Sequence, residues 1–174
     1  MTTLSDLASA QQWVAWCPGQ RGDKVTKVPY CSTWRRAESN DPATWITRAQ
    51  AHLLAPRIGN GLGVGGVGIM LGKCGDLWLA GIDFDACRDP QTGSIEPWAA
   101  TPLQRFDTYQ EVSPSGSGIK AFFQIQPDDI DTLRQIMGTA TGRQFKRDAE
   151  GDHPPAIEFY IAKPLLRSHR TSAR

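Results

Sequence analysis

The sequence predicts an α+β fold, because segments with a helical apolar period alternate with extended segments rich in β-branched and aromatic residues. Residues 62–84 combine Val, Ile, Leu and Trp with many glycines, which is typical of strands joined by tight turns. Residues 127–138 instead carry apolar side chains at helical spacing behind a Pro-Asp-Asp start, with Gly138 as the stop. Both periods are therefore present in one chain.

The composition is that of an ordinary globular protein. The 174 residues are 40% hydrophobic and 21% charged, which excludes disordered, fibrous and membrane-embedded classes. A net charge of +1 gives no general attraction to nucleic acid, so such a partner has to be argued from local sites. The four cysteines are widely spaced and include no CxxC pair, which predicts reduced thiols. The first residues lack the basic-then-apolar pattern of a secretory leader, so we expect a cytoplasmic location and no membrane partner.

The pattern predicts one domain over residues 1–163, followed by a basic, flexible tail at 164–174. A polar loop with three basic residues is expected after the helix that ends at Gly138. The other predicted elements are a helix over 4–16, a strand over 24–30, a helix from Asp41 to Leu54, two strands within 62–84 paired through a turn at 72–76, a helix over 96–106, and strands over 109–113, 119–126 and 156–161.

The segment Ile82-Asp83-Phe84-Asp85 carries the strongest chemical signal. Asp83 and Asp85 are two residues apart on a strand, so both carboxylates project from one face while Ile82 and Phe84 point into the core. Two acids on one face repel unless a counter-charge is present, and a pair of divalent cations is the common remedy in phosphoryl-transfer sites. The alternative is a plain turn that begins at Asp85.

Two later strands carry matching charged positions. Lys120 alternates with apolar neighbours in one strand, and Glu158 does so in the last clear strand. If these strands share a sheet with Asp83 and Asp85, the four side chains gather on its less apolar face. Glu158 taken alone also fits a solvated strand face.

A Ser/Gly loop precedes Lys120, and its small residues leave N–H groups and hydroxyls free to approach an anion. Together with the lysine, this loop predicts a site for a triphosphate. A Gly/Ser-rich hairpin turn is the alternative, and the GxxxxGK[ST] spacing of a Walker loop is absent. The candidate nucleotide-binding residues are Ser113, Ser115, Gly116, Ser117, Gly118 and Lys120.

Two basic clusters are candidates for contact with nucleic-acid phosphates, although charged loops are usually only solvated. Among the six tryptophans, Trp34 lies between polar residues and arginines and is the best candidate for stacking on a base, whereas the others fit a core. The basic candidates are Lys24, Lys27, Arg35 and Arg36 in the first cluster and Arg143, Lys146 and Arg147 in the second.

Taken in order, these motifs resemble the small primase-polymerase domain of phage and plasmid replication proteins, a branch of the archaeo-eukaryotic primase superfamily. The resemblance implies an RRM-like antiparallel sheet core with flanking helices and an N-terminal α/β subdomain. It extends over about the first 160 residues. Its motifs are Trp13 and Trp16, Lys24 to Tyr30, Asp41 to Trp45, Gly63 to Leu71, Ile82 to Asp85, Tyr109 to Gly118 and Ile157 to Tyr160.

The resemblance also implies a function: DNA primer synthesis on a single-stranded template from nucleoside triphosphates, with a replicative helicase acting in trans. By this match, Asp83, Asp85 and Glu158 are the catalytic residues that hold Mg²⁺ or Mn²⁺. Lys120 stands where the family usually has a histidine, and residues 163–171 match the usual C-terminal motif poorly. Two alternatives stay open: a catalytically silent module that binds single-stranded DNA or nucleotide, and a metal-dependent nuclease, which the Ser/Gly loop disfavours.

Overall fold

A computed structural model describes residues 7–59, 61–146, 154–162 and 165–167. These residues form two antiparallel sheets and three α-helices, which confirms the α+β class. They divide into two compact units, one reaching Met70 and including residues 165–167, the other covering Leu71–Ala162. In the described part of the chain, no helix has the length and apolar character needed to cross a bilayer.

The first unit is a four-stranded sheet with strand order β10-β3-β1-β2. Buried residues of the central strand β1 pack into two different apolar clusters, one with Val14 and the other with Ala15 and Cys17. Both faces of this sheet are therefore covered near β1. The elements are β1 (Trp13–Arg21), β2 (Lys24–Tyr30), β3 (Gly66–Met70), β10 (Leu165–Arg167) and the helix α1 (Arg48–Leu54).

The predicted helix over residues 4–16 is wrong throughout its described part, because residues 7–11 form turns and bends and Trp13 begins strand β1. Residues 13–17 are all buried, as expected for a central strand that is covered on both faces. Such a continuous apolar run has no period of its own, so a strand and a buried helix look alike in sequence. Residues 1–6 lie outside the described part of the chain.

The predicted helix from Asp41 to Leu54 is divided in two. Asp41 caps a short 3₁₀ turn at Pro42–Thr44, and α1 begins later behind Thr47, whose side chain forms a capping box with Gln50. Between them, Ile46 exchanges two backbone hydrogen bonds with Trp13, of 2.9 and 2.8 Å, and is therefore held extended. The tertiary pairing with β1 thus interrupts a helix that the local signals favoured.

The second unit is a sheet with strand order β6-β7-β5-β9-β8, and a short strand β4 also pairs with β5. All of its strand pairs are antiparallel. The elements are β4 (Gly72–Cys74), β5 (Leu77–Asp85), β6 (Tyr109–Val112), β7 (Ile119–Ile125), β8 (Gly142–Lys146), β9 (Ala156–Tyr160), α2 (Pro97–Arg105) and α3 (Ile130–Met137).

Both helices of this unit pack on the same face of the sheet. Ile82 and Phe84 cluster with Leu103 of α2, and Ala80 clusters with Ile130 of α3. Because side chains alternate along β5, the residues between these apolar ones project from the opposite face. The packing of α2 and α3 therefore determines which face displays the two aspartates.

The prediction that the two strands within residues 62–84 form one hairpin is wrong. Strand β3 pairs with β1 in the first sheet, and β5 pairs with the short β4 through a turn that includes Gly75. The β-branched residues predicted that these segments form strands, but they did not predict which strand each one pairs with. Pairing depends on contacts far apart in sequence.

The segment predicted as a polar loop contains strand β8, which pairs with β9 along Gly142–Lys146. Four of its five residues are exposed, as expected at the edge of a sheet, so it lacks the apolar alternation of an inner strand. The segment predicted as a flexible tail contains β10, which pairs with β3. The rest of that tail lies outside the described residues.

The four cysteines should differ in reactivity towards a thiol reagent. Cys87 is fully buried, its thiol donates to the Phe84 carbonyl oxygen at 3.2 Å, and burial raises its pKa to about 11, so it holds little thiolate at neutral pH. Burial also raises the pKa of the half-buried Cys74. A short iodoacetamide pulse followed by mass spectrometry should label Cys31 first and Cys17 and Cys87 last. Equal labelling of all four in the folded protein would contradict this core.

Candidate active site on the polar face of the second sheet

Five polar side chains form a row across the second sheet. Lys120 on β7 and Glu158 on β9 both lie opposite Asp83 on β5. Beyond them, Glu111 on β6 lies opposite Lys120, and Gln144 on β8 lies opposite Glu158. Directly opposed residues of antiparallel strands project from the same face. These five residues are the polar row, and the face they occupy is the polar face.

Three carboxylates meet near the centre of the polar face. One oxygen from each of Asp83, Asp85 and Glu158 lies within 4.8 Å of the other two. In the described part of the chain this is the one grouping of three acids, histidines or cysteines with metal-ligand spacing. The structure therefore brings together the three acids that the sequence singled out.

The donor set fits a hard divalent cation, because carboxylate oxygens are the ligands that Mg²⁺ and Mn²⁺ prefer. A further observation agrees with this fit. Asp83 is buried, and its Oδ1 accepts no hydrogen bond from any described residue. A buried carboxylate oxygen is costly to leave without a partner, and a bound cation would supply one.

Lys120 already touches this site. Its ammonium donates to Asp83 Oδ2, and both residues are buried. The lysine predicted to bind phosphate is thus paired with a candidate metal ligand. A buried ion pair of this kind is costly to break by removing one partner, because the other charge is then left uncompensated.

Two neighbours orient Glu158. Gln144 Nε2 donates to one of its carboxylate oxygens, and the Tyr160 hydroxyl donates to the other. Burial, followed by the hydrogen bond to Glu158 and the negative charges of Glu158 and Asp85, raises the pKa of the Tyr160 hydroxyl. Tyr160 therefore stays a hydrogen-bond donor, and Glu158 is held in one orientation.

The Ser/Gly loop closes the β6–β7 hairpin directly before Lys120. The Ser113 N–H donates to the Gly118 carbonyl oxygen at 2.8 Å, and the Gly118 N–H donates back to Ser113 Oγ at 3.0 Å. The hydroxyls of Ser113, Ser115 and Ser117 form a chain, with oxygen–oxygen distances of 2.8 and 2.9 Å. The alternative reading as a hairpin turn is therefore correct in geometry, and the same turn gathers three hydroxyl groups.

This loop is also tied to the end of β5. The backbone N–H of Arg88 donates to the Ser117 carbonyl oxygen at 3.0 Å, and its guanidinium donates to the Gly116 carbonyl oxygen at 2.8 Å. Gly118 passes so close to β5 that a Cβ there would lie 2.8 Å from the Phe84 carbonyl oxygen. The loop is thereby fixed beside the strand that carries Asp83 and Asp85.

The second basic cluster is divided between the two faces of the sheet. Arg143 lies opposite Phe159, on the face away from the polar row, and its guanidinium stacks 5.2 Å from the centre of the Phe145 ring. Lys146 lies opposite Ala156, which lies opposite Asp85, so Lys146 is on the polar face and exposed. Arg147 lies outside the described residues.

The first basic cluster belongs to the first unit. Arg35 and Arg36 are exposed beside Trp34, which is 88% exposed, and Lys27 is exposed on β2. Lys24 is the first residue of β2, and the structure does not describe its side chain. The tryptophans Trp13, Trp16 and Trp45 are buried and Trp78 and Trp98 partly buried, as expected for core residues.

Sequence reasoning missed several residues of this site. Glu111, which is fully buried in the polar row, follows the same alternation that identified Lys120, so the period of β6 was an available signal. Gln144 was missed because β8 was taken as a loop. Arg88 carries no local signal, since its role comes from a contact with residues 28 positions later.

Comparison with known proteins gives one informative similarity. No protein-family model matches the sequence. A DNA primase-polymerase from Nitratiruptor phage NrS-1 is 33% identical to the chain over 119 residues, which is 67% of this chain. The chain is similar to part of a phage DNA primase-polymerase. The aligned region is 15% of that relative's length.

Gly118→Ala should destabilise the second unit by about 1–3 kcal/mol, since the new methyl group would press on the backbone oxygen of Phe84. Gly59→Ala is the matched control, because nothing lies within 4 Å of a Cβ at that position. Thermal unfolding followed by circular dichroism measures both. Equal melting temperatures for the two variants would show that the loop is not held against β5.

Proposed function

We propose that this chain is the catalytic domain of a DNA primase-polymerase, which adds nucleotides along a single-stranded template by two-metal nucleotidyl transfer. The observation that carries the proposal is the cluster of Asp83, Asp85 and Glu158, whose carboxylate oxygens lie within 4.8 Å of one another. The similarity to a phage DNA primase-polymerase supports the same class of reaction.

In this proposal the three acids hold Mg²⁺ or Mn²⁺. Such ions, when bound, neutralise a triphosphate and activate a hydroxyl for in-line attack. The chain's own contribution is orientation. Gln144 and Tyr160 fix Glu158 through its two oxygens, and the β5 backbone fixes the spacing of Asp83 and Asp85.

The Ser113–Gly118 loop binds the phosphate groups of the incoming nucleotide in this proposal. Its hydroxyls and N–H groups are donors, and a turn with small residues lets an anion approach the backbone. Arg88 keeps the loop beside β5 through two hydrogen bonds, of 3.0 and 2.8 Å. Lys120, two residues after this loop, adds a positive point charge beside the acids.

One observation favours a second candidate, a replication module that binds single-stranded DNA or nucleotide without turnover. The Lys120 ammonium is paired with Asp83. A lysine in that position compensates part of the negative charge of the acidic cluster without a metal ion. A module that has lost catalysis would need such compensation.

Replacing both aspartates of the cluster, Asp83→Ala plus Asp85→Ala, should reduce template-directed extension to the level measured without protein. The reason is that two of the three candidate metal ligands are removed. The measurement uses single-stranded template, labelled nucleotides and Mg²⁺ or Mn²⁺, with products resolved on a denaturing gel.

The matched control is Asp128→Ala plus Asp129→Ala, which removes two exposed acids from the same unit, at the start of α3. This control should give as much extension product as the original chain does. Shortening of the template instead of extension would identify a nuclease. Binding of template or nucleotide without either product would identify the silent module, and the absence of binding and chemistry would overturn the whole site.

Trp34 is proposed to contact the unpaired bases of the nucleic acid. Its turn is held by backbone hydrogen bonds from Cys31 to Arg35 at 3.1 Å and from Ala37 to Pro29 at 2.9 Å. An indole that is 88% exposed on an ordered turn, beside two exposed arginines, combines a stacking surface with phosphate-binding charge.

Trp34→Ala should weaken binding of single-stranded DNA by about tenfold, since stacking on one base contributes about 1–3 kcal/mol. Trp34→Phe should retain part of the affinity, because a smaller aromatic ring still stacks. Fluorescence anisotropy with a labelled oligonucleotide measures all variants. Leu53→Ala, at an exposed apolar position of the same unit, is the control. A Trp34→Ala variant that binds as tightly as this control would rule out stacking.

A further inference from the structure

Glu111 is a fully buried carboxylate that the proposed reaction does not use. It is 0% exposed, and the Tyr109 hydroxyl donates to its Oε2 at 3.2 Å. A buried carboxylate is costly unless a cation or several donors compensate for the loss of water. The charge of its neighbours in the polar row therefore indicates the role of Glu111.

The register gives Glu111 a cationic neighbour. Glu111 on β6 lies directly opposite Lys120 on β7, and Lys120 lies directly opposite Asp83 on β5. Opposed residues on one face have Cβ atoms about 4.5–5.5 Å apart. Lys120 is thus flanked by an acid on each side, and all three residues are buried.

The two acids have different surroundings. Asp83 belongs to the three-carboxylate cluster, whereas Glu111 lies on β6, two strands from β5, and outside that cluster. The ammonium of Lys120 donates to Asp83 Oδ2, so it occupies an oxygen of a candidate metal ligand. A cation bound to Oδ1 would share the negative charge of this carboxylate with the ammonium on Oδ2, so the ammonium weakens the attraction of Asp83 for a cation.

We propose that Glu111 is a positioning residue for the metal site: it offers Lys120 an anionic partner on the β6 side of the row when a divalent cation binds Asp83. This inference rests on the proposed metal site. When Asp83 binds a cation, the Lys120 ammonium still has Glu111 as an anionic neighbour. Without that neighbour, the ammonium stays on Asp83, and the cation binds less tightly.

The test is the affinity of the full chain for Mn²⁺ alone, measured by the electron paramagnetic resonance signal of free Mn²⁺. Glu111→Gln keeps the size of the side chain and an oxygen that accepts from Tyr109, but removes the charge. It should weaken Mn²⁺ binding by about tenfold, the effect of losing about 1.4 kcal/mol. Glu96→Gln, at an exposed glutamate of the same unit, should have no effect.

Glu111→Asp separates charge from packing. It keeps the carboxylate and shortens the side chain, so it should bind Mn²⁺ nearly as tightly as the original chain. A loss as large as that of Glu111→Gln would mean that a carboxylate on this strand does not by itself support Mn²⁺ binding, and the proposal would be wrong.

A double-mutant cycle with Lys120→Met then shows whether the effect passes through the lysine. Glu111→Gln should have little effect on Mn²⁺ affinity once Lys120 is replaced. A tenfold loss that persists in the Lys120→Met background would mean that Glu111 attracts the cation directly, which overturns the proposal. Circular dichroism checks the fold of each variant, and the Glu111→Asp comparison decides the matter if the double variant does not fold.

The outcomes distinguish this inference from the proposed function. Mn²⁺ binding that depends on Asp83, Asp85 and Glu111, in a chain without extension activity, supports the inference and overturns the polymerase. Extension activity with Mn²⁺ affinity unchanged in Glu111→Gln overturns the inference alone. Mn²⁺ affinity that is unaffected by Asp83→Ala plus Asp85→Ala overturns both the metal site and the role of Glu111.

Discussion

The candidate site depends on the antiparallel register of β5 with its two neighbours. That register places Lys120 and Glu158 on either side of Asp83. A shift of one residue in either pairing would move every side chain of the shifted strand to the other face. The apolar residues of the same strands prevent such a shift, because Ile82, Phe84 and Ile119 must stay in the core against α2. Apolar packing on one face of the sheet therefore fixes the positions of the charged side chains on the other face.

Charge balance is the second constraint on this face. Four carboxyl groups, those of Glu111, Asp83, Asp85 and Glu158, share the polar face with one buried ammonium, that of Lys120. Like charges gathered on one partly buried face favour the arrival of further positive charge. In the proposed reaction, divalent cations neutralise these carboxylates. Without such cations, the Lys120 ammonium neutralises part of their charge. The same arrangement therefore accounts for both the catalytic and the silent candidate.

The Ser113–Gly118 loop illustrates how a local turn is placed beside the candidate site. Its hydrogen bonds are mostly internal, as a hairpin turn requires. What gives the turn a fixed place is Arg88, together with a glycine at residue 118 that can approach the Phe84 carbonyl oxygen. The loop is thereby held beside the strand of Asp83 and Asp85, and such preorganisation is what the proposed phosphoryl transfer would need.

The sequence by itself determined the α+β class, the strands β2, β6, β7 and β9, the helix α3 with its Gly138 stop, and the shared face of Asp83 and Asp85. Those features follow from local periods and end signals. Only the tertiary structure decided that residue 13 starts a strand and not the end of a helix, that β3 joins the first sheet, and that β8 extends the second. It also decided that Glu111 and Gln144 complete the polar row. These outcomes depend on which strands pair across long stretches of chain, and pairing is fixed by packing energy that no local window contains.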